Sequence, residues 1–107
     1  MTIKKRLGQH FLTELSSIRR IVDAACIGAE DLVVEIGPGR GALTGLLINQ
    51  AKQVVGIEID DVLSKMLSAQ FGTGIEIVSD DVLQVDLPAL VNNYGENKAI
   101  LVGNLPY

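Results

Sequence analysis

The chain has 107 residues, 48% of them hydrophobic and 21% charged, with a formal net charge of −4; this is enough for one folded core, and it is not the composition of a disordered segment. The acidic balance counts against gripping nucleic acid by charge alone, which takes clustered Lys and Arg; the one basic cluster is Lys4, Lys5 and Arg6. Cys26 is the only cysteine and no apolar run approaches a membrane span, so the expectation is a cytoplasmic protein with no disulfide, no metal site and no membrane partner.

In chain order, Leu15, Ile18, Val22 and Ala25 recur at helical spacing, with Thr13 placed to cap the segment and Gly28 to end it. Residues 32–36 form a short β-branched run stopped by glycines, and 53–59, 75–79 and 99–103 repeat the pattern. Between these four strands, 42–51, 61–70 and 87–94 read as helices, the second capped by Asp60. The alternation β-α-β-α-β-α-β, with strands apolar on both faces, predicts an α/β fold: a doubly wound parallel sheet with right-handed crossovers. The expected strand order is 3-2-1-4. The apolar segment at 99–102 looks like an interior strand with nothing after it to cover its far edge, which predicts self-association through the fourth strand.

Glu35-Ile36-Gly37-Pro38-Gly39-Arg40-Gly41 follows the first strand and opens a helix, which is where an open α/β sheet binds a nucleotide-like ligand. Glu58 ends the second strand about 20 residues later, in position to accept both hydroxyls of a ribose. Gly37, Gly39 and Ala42 also satisfy a dinucleotide fingerprint, so a nicotinamide or flavin cofactor is a competing reading. Pro38 lacks an N–H to offer a pyrophosphate, and Glu35 would set negative charge beside it. A cation suits the site better: S-adenosyl-L-methionine carries ammonium and sulfonium charges and no phosphate. Glu35 is then either a contact for its methionine end or a satisfied strand-end carboxylate. Ser79-Asp80-Asp81-Val82 follows the third strand. Asp81 is the expected acceptor for the adenine amine of the cofactor, and Asp80 is assigned to solvent or structure, one of the pair capping the next turn.

The fourth strand runs into Asn104-Leu105-Pro106-Tyr107. An adenine exocyclic amine is a poor nucleophile because its lone pair is delocalised into the ring. Acceptors such as the Asn104 side-chain oxygen and the Leu105 carbonyl can take its hydrogens and turn the pair toward a methyl donor. Pro106 fixes the turn and Tyr107 stacks on the flipped-out base. An Asn-x-Pro turn leaving a strand is the plainer alternative.

With these motifs in hand, the chain resembles the KsgA family of rRNA adenine dimethyltransferases. The resemblance is carried by Gly8-Gln9-His10-Phe11-Leu12, Glu35-Ile36-Gly37-Pro38-Gly39, Gly41-Ala42-Leu43-Thr44, Glu58-Ile59-Asp60, Asp81 and Asn104-Leu105-Pro106-Tyr107. It implies a Rossmann-like methyltransferase fold with S-adenosyl-L-methionine as cofactor and small-subunit ribosomal RNA as partner. It further implies cofactor contacts from His10, Leu12, Gly37, Glu58, Asp81 and Asn104, with Asn104 and Tyr107 also serving the target adenine. Position 10 is often Asn in that family, so the contact made by His10 differs. The resemblance makes residues 1–107 the N-terminal half of the methyltransferase domain, without the C-terminal half or the helical RNA-binding domain, and predicts weak cofactor binding with little or no methylation. Three readings compete: this one, with Erm-type large-subunit rRNA methyltransferases as near relatives; a nicotinamide-dependent oxidoreductase fragment; and a non-catalytic, self-associating sheet.

Overall fold

A computed structural model describes residues 15–103. The first helix, α1, spans Leu15–Ala25 and buries Ile18 and Val22 while Arg19 and Arg20 face solvent. Thr13, its expected cap, lies outside the described residues. The helix ends earlier than Gly28 would end it. Cys26 adopts φ 53, the left-handed conformation that closes helices, and its N–H reaches Asp23 O at 3.1 Å.

Strand β1 (Leu32–Ile36), helix α2 (Ala42–Gln50), β2 (Gln53–Glu58), α3 (Asp61–Phe71), β3 (Glu76–Ser79), α4 (Leu87–Asn93) and β4 (Ile100–Gly103) follow. The sheet order is β3-β2-β1-β4 and every pairing is parallel, as the alternation of elements predicts. Asp60 caps α3 as expected, its carboxylate accepting from Val62 N at 2.9 Å and Leu63 N at 3.1 Å. Asp86 does the same for α4, accepting from Ala89 N at 3.1 Å. The strands are one residue shorter than their apolar runs at three ends: Ile59, Ile75 and Ala99 lie outside β2, β3 and β4.

Strand residues alternate between the faces of the sheet. Val33, Val54 and Val102 pack on one face with Ile18, Val22, Leu43 and Leu47, so α1 and α2 cover it; Phe71 adds the end of α3. Leu32 and Val55 pack on the other face against Val91 of α4. Leu47 is fully buried, and its truncation to Ala would cost about 2–5 kcal/mol in lost contacts and residual cavity. The first two crossovers therefore use one face and the third the other. The chain reverses its direction of travel across the sheet between β1 and β4, and that reversal opens a crevice at the carboxyl ends of the strands. Among the described residues β4 pairs with β1 alone, and no helix is long and apolar enough to cross a membrane.

Candidate functional site

The loop from Gly37 to Gly41 sits at that crevice. Its start is pinned to β2 by Gly37 N donating to Ile57 O at 2.9 Å, and its end is closed by Gly41 N donating to Pro38 O at 3.0 Å. Gly41 holds φ 88 under the aromatic ring of Phe71, where an added Cβ would lie 2.7 Å from Phe71 Cε2. No other residue fits there. Gly39 holds φ 60, and the nearest heavy atom to an added Cβ is Gly37 O at 3.9 Å. Its outer side is open, so a ligand can approach the backbone closely.

Glu58 organises the site. Its side chain is 5% exposed; Oε1 accepts from Gly39 N at 3.0 Å and Oε2 accepts from Asp60 N at 3.0 Å. Its backbone oxygen accepts from Asp80 N at 3.0 Å and Ser64 Oγ at 3.3 Å. One residue thus ties the glycine loop, the start of α3 and the end of β3 into a single rim. A carboxylate has about four acceptor positions. With two used on backbone amides, one remains on each oxygen, which suits a pair of neighbouring hydroxyls.

Asp81 follows β3 on the same rim. Its Oδ1 accepts from Leu83 N at 2.9 Å and caps the single helical turn Val82–Gln84; Oδ2 has no hydrogen-bond partner among the described residues. Asp80 Oδ1 accepts from Asp81 N at 2.7 Å. The capping role therefore falls to Asp81, the residue expected to contact a ligand, while Asp80 has the structural role expected of it. Ser79 Oγ donates to Asp61 Oδ1 at 2.8 Å, fastening β3 to α3.

Glu35 is 1% exposed and accepts from Thr44 Oγ1 at 2.5 Å. Burial pushes its carboxyl up to about 7; the Thr44 hydrogen bond works against that shift and the nearby charge of Glu58 adds to it. Both roles that the sequence leaves open for Glu35 start from this buried strand-end position beside Thr44. Thr44 was not assigned a role from sequence. Its place in the first turn of α2, facing an acidic β1 terminus, is the signal that could have found it.

Large apolar side chains surround the rim in the open: Ile59 is 68% exposed, Val62 66% and Leu83 85%. Ile59 directly follows Glu58, while Val62 and Leu83 stand two residues after Asp60 and Asp81; only Ile59 was singled out by the sequence, as part of a motif. Of the other expected site residues, His10, Leu12, Asn104, Leu105, Pro106 and Tyr107 lie outside the described residues, as do Lys4, Lys5 and Arg6. The structure brings together Gly37, Glu58 and Asp81. Among the described residues no three His, Cys, Asp or Glu side chains are grouped to hold a metal. Two depressions, of about 290 and 140 Å³, lie at the opposite, amino-terminal end of the sheet beside Leu32, Glu96 and Lys52 or Lys98. They lack any glycine loop, and open α/β sheets bind at the carboxyl ends.

Known proteins place this architecture. A family described as ribosomal RNA adenine dimethylase matches residues 1–107. Curated relatives named ribosomal RNA small subunit methyltransferase A are 45% identical in Ligilactobacillus salivarius and 42% identical in Mycoplasma mycoides. Each match covers 100% of this chain, and 38% and 41% of the relative. The chain thus spans about two fifths of the length of those relatives. Among solved structures, a dimethyladenosine transferase from Plasmodium falciparum is 29% identical with a TM-score of 0.71, covering 86% of this chain and 32% of that one. The 23S rRNA methyltransferase ErmE is 35% identical with a TM-score of 0.72, covering 86% and 36%. The family resemblance and the 3-2-1-4 sheet are borne out: this chain belongs to the ribosomal RNA adenine dimethylase family.

Proposed function

We propose that the chain is the cofactor-binding part of an S-adenosyl-L-methionine-dependent enzyme that dimethylates the exocyclic amine of adenines in small-subunit ribosomal RNA, acting in the cytoplasm. The observation that carries this is the rim built on Glu58: a buried carboxylate bonded to Gly39 N and Asp60 N, with acceptor capacity left over, beside an open glycine backbone. In this reading Glu58 accepts the ribose hydroxyls, Gly37 and its loop lie against the methionine portion, and Asp81 takes the adenine amine through its second oxygen. The exposed Ile59 and Leu83 give the adenine ring apolar surface. His10 and Leu12 are assigned further cofactor contacts on the family resemblance alone.

When bound, the cofactor supplies an electrophilic methyl group on a sulfonium sulfur. The residues' part is to orient the nucleophile. Asn104 and the Leu105 carbonyl accept the amine hydrogens of the target adenine, Pro106 holds the turn and Tyr107 stacks on the base, so that the nitrogen lone pair faces the methyl. The nitrogen gains the methyl, loses a proton to solvent and leaves a neutral thioether behind. The described residues carry an acidic rim, so contact with RNA phosphate falls to Lys4, Lys5 and Arg6 and to residues beyond this chain. This chain alone is therefore expected to bind cofactor weakly and to methylate little, and its β4 edge is expected to pair with a second copy.

The favoured substrate is small-subunit rather than large-subunit RNA because the curated relatives matched over the whole chain carry the small-subunit name. Ultraviolet crosslinking of methyl-labelled S-adenosyl-L-methionine, followed by peptide mapping, tests the placement. Label in peptides containing Gly37 to Gly41 or Glu58 to Asp61, competed by S-adenosylhomocysteine and not by NAD, is the expected result. Label spread over the surface, or competed equally by NAD, contradicts it.

A further inference from the structure

Among the described residues Glu35 is a buried acid without a cation. Its side chain is 1% exposed, and its one hydrogen bond among the described residues comes from the Thr44 hydroxyl at 2.5 Å. Among the described residues the elements around it offer no positive charge. Helix α2 (ALTGLLINQ) and strand β4 (ILVG) carry no ionisable side chain, and β2 contributes Glu58, a like charge. Arg40 of the glycine loop, and Arg19, Arg20 and Asp23 of α1, are exposed to solvent. The only ion pair among the described residues, Lys52 with Glu96, lies at the far end of the sheet. Yet Glu35 sits two residues before the loop on which a cationic ligand is proposed to rest, near the end of the strand that leads into it.

Leaving a carboxylate buried without a counter-ion is costly, and the usual resolution is to keep it protonated. A ligand bearing positive charge changes that balance, because an opposite charge brought within a few ångströms favours the ionised form.

We propose that Glu35 is a proton-exchanging counter-ion: it keeps its carboxyl proton against Thr44 in the empty site and releases it to solvent when a cationic ligand seats on the glycine loop. Only the Glu35 O–H bond breaks, the proton goes to buffer, and the charge left behind is neutralised by the ligand's ammonium or sulfonium. Binding of the cation is then tied to pH near neutrality, tightening as pH rises until Glu35 is ionised beforehand. The elevation of the Glu35 carboxyl to about 7 places the effect in the physiological range. The inference rests on the proposed function for the identity of the ligand, and it makes Glu35 a positioning residue whose charge state follows occupancy.

Calorimetric titration of S-adenosyl-L-methionine at one pH in buffers of differing ionisation enthalpy counts protons exchanged per ligand. With a carboxyl titrating at about 7, the wild-type chain should release roughly three quarters of a proton at pH 6.5, where the ligand's amino group is already protonated. E35Q should release none at that pH. Binding of normal strength with no buffer dependence at pH 6.5 overturns the inference and leaves the proposed function standing. Absence of binding overturns both. The carboxyl carbon resonance of Glu35, followed against pH in the ligand-free wild-type protein, needs no variant to fold: a midpoint near 7 is required, and one near 4.5 refutes the proposal.

Discussion

Gly39 donates its backbone N–H to the Glu58 carboxylate at 3.0 Å, joining residues 19 positions apart at the crossing of the glycine loop with the end of β2. The same carboxylate receives Asp60 N at 3.0 Å, so the loop and the entry to α3 share one anchor. The relationship explains why β2 stops at Glu58 although the apolar run continues to Ile59. The Glu58 side chain captures Asp60 N two residues on and turns the chain out of the sheet.

Removing that anchor has a stability consequence independent of any ligand. Glu58→Ala leaves two part-buried N–H groups without their acceptor, at about 1–3 kcal/mol for each that water cannot reach. Urea denaturation should show a loss of about 2 kcal/mol or more, with faster amide exchange at Gly39 and Asp60. A variant within about 0.5 kcal/mol of wild type would show that the rim does not depend on this carboxylate.

The glycines of the loop should separate by function. Gly41→Ala forces a Cβ to 2.7 Å from Phe71 Cε2 at φ 88, combining overpacking with left-handed strain, and should destabilise by about 2–4 kcal/mol. Gly39→Ala meets nothing closer than 3.9 Å at φ 60 and should cost about 1 kcal/mol while weakening ligand binding more than stability. Paired thermal unfolding and ligand titration of the two variants distinguish them. Equal effects on both quantities would remove the distinction.

Stability should carry a pH signature from Glu35. Burial raises its folded carboxyl to about 7 from the ordinary 4.5, so between those values the folded state holds a proton that the unfolded state has lost. The contribution is fully present below pH 4.5 and is lost as pH rises through 7, by on the order of 3 kcal/mol for a shift of that size. The stability difference between wild type and Glu35→Gln, measured by urea denaturation from pH 4 to 8, should move against wild type over that window. A pH-independent difference would mean that Glu35 titrates normally.

The cap of α3 makes a smaller, local prediction. Asp60→Ala removes acceptors for Val62 N and Leu63 N and should lower stability by about 1 kcal/mol. Because Asp60 contributes its backbone N–H rather than its side chain to Glu58, ligand affinity should fall less than in Glu58→Ala. A larger loss of affinity in Asp60→Ala would reverse the assignment.

How far the sequence discloses this architecture depends on the signal each residue carries. The strands centred on Val33-Val34 and Val54-Val55 are legible because buried parallel strands are apolar on both faces, and the Asp60 cap is legible because only its side chain could satisfy the helix start. Cys26 as the end of α1 is not legible, since nothing in its side chain favours φ 53 over the glycine two residues on. The partnership of Glu35 with Thr44 is invisible for a different reason. It depends on which turn of α2 lies over the end of β1, a packing relation and not a local preference. Asp81 shows the limit of motif reasoning: its carboxylate is at the expected edge, but one oxygen caps the turn at Leu83 N. The role expected of Asn104 to Tyr107 toward the target adenine rests on resemblance to the family pattern, and these residues lie outside the described ones.

Calorimetric titration of S-adenosyl-L-methionine into the chain, with NAD and the Glu58→Ala variant alongside, tests the central claim most directly. Saturable binding of S-adenosyl-L-methionine that the variant loses, with no heat from NAD, is the predicted result. Binding of NAD in its place, or S-adenosyl-L-methionine binding undiminished in Glu58→Ala, would contradict the assignment of this rim as the cofactor site.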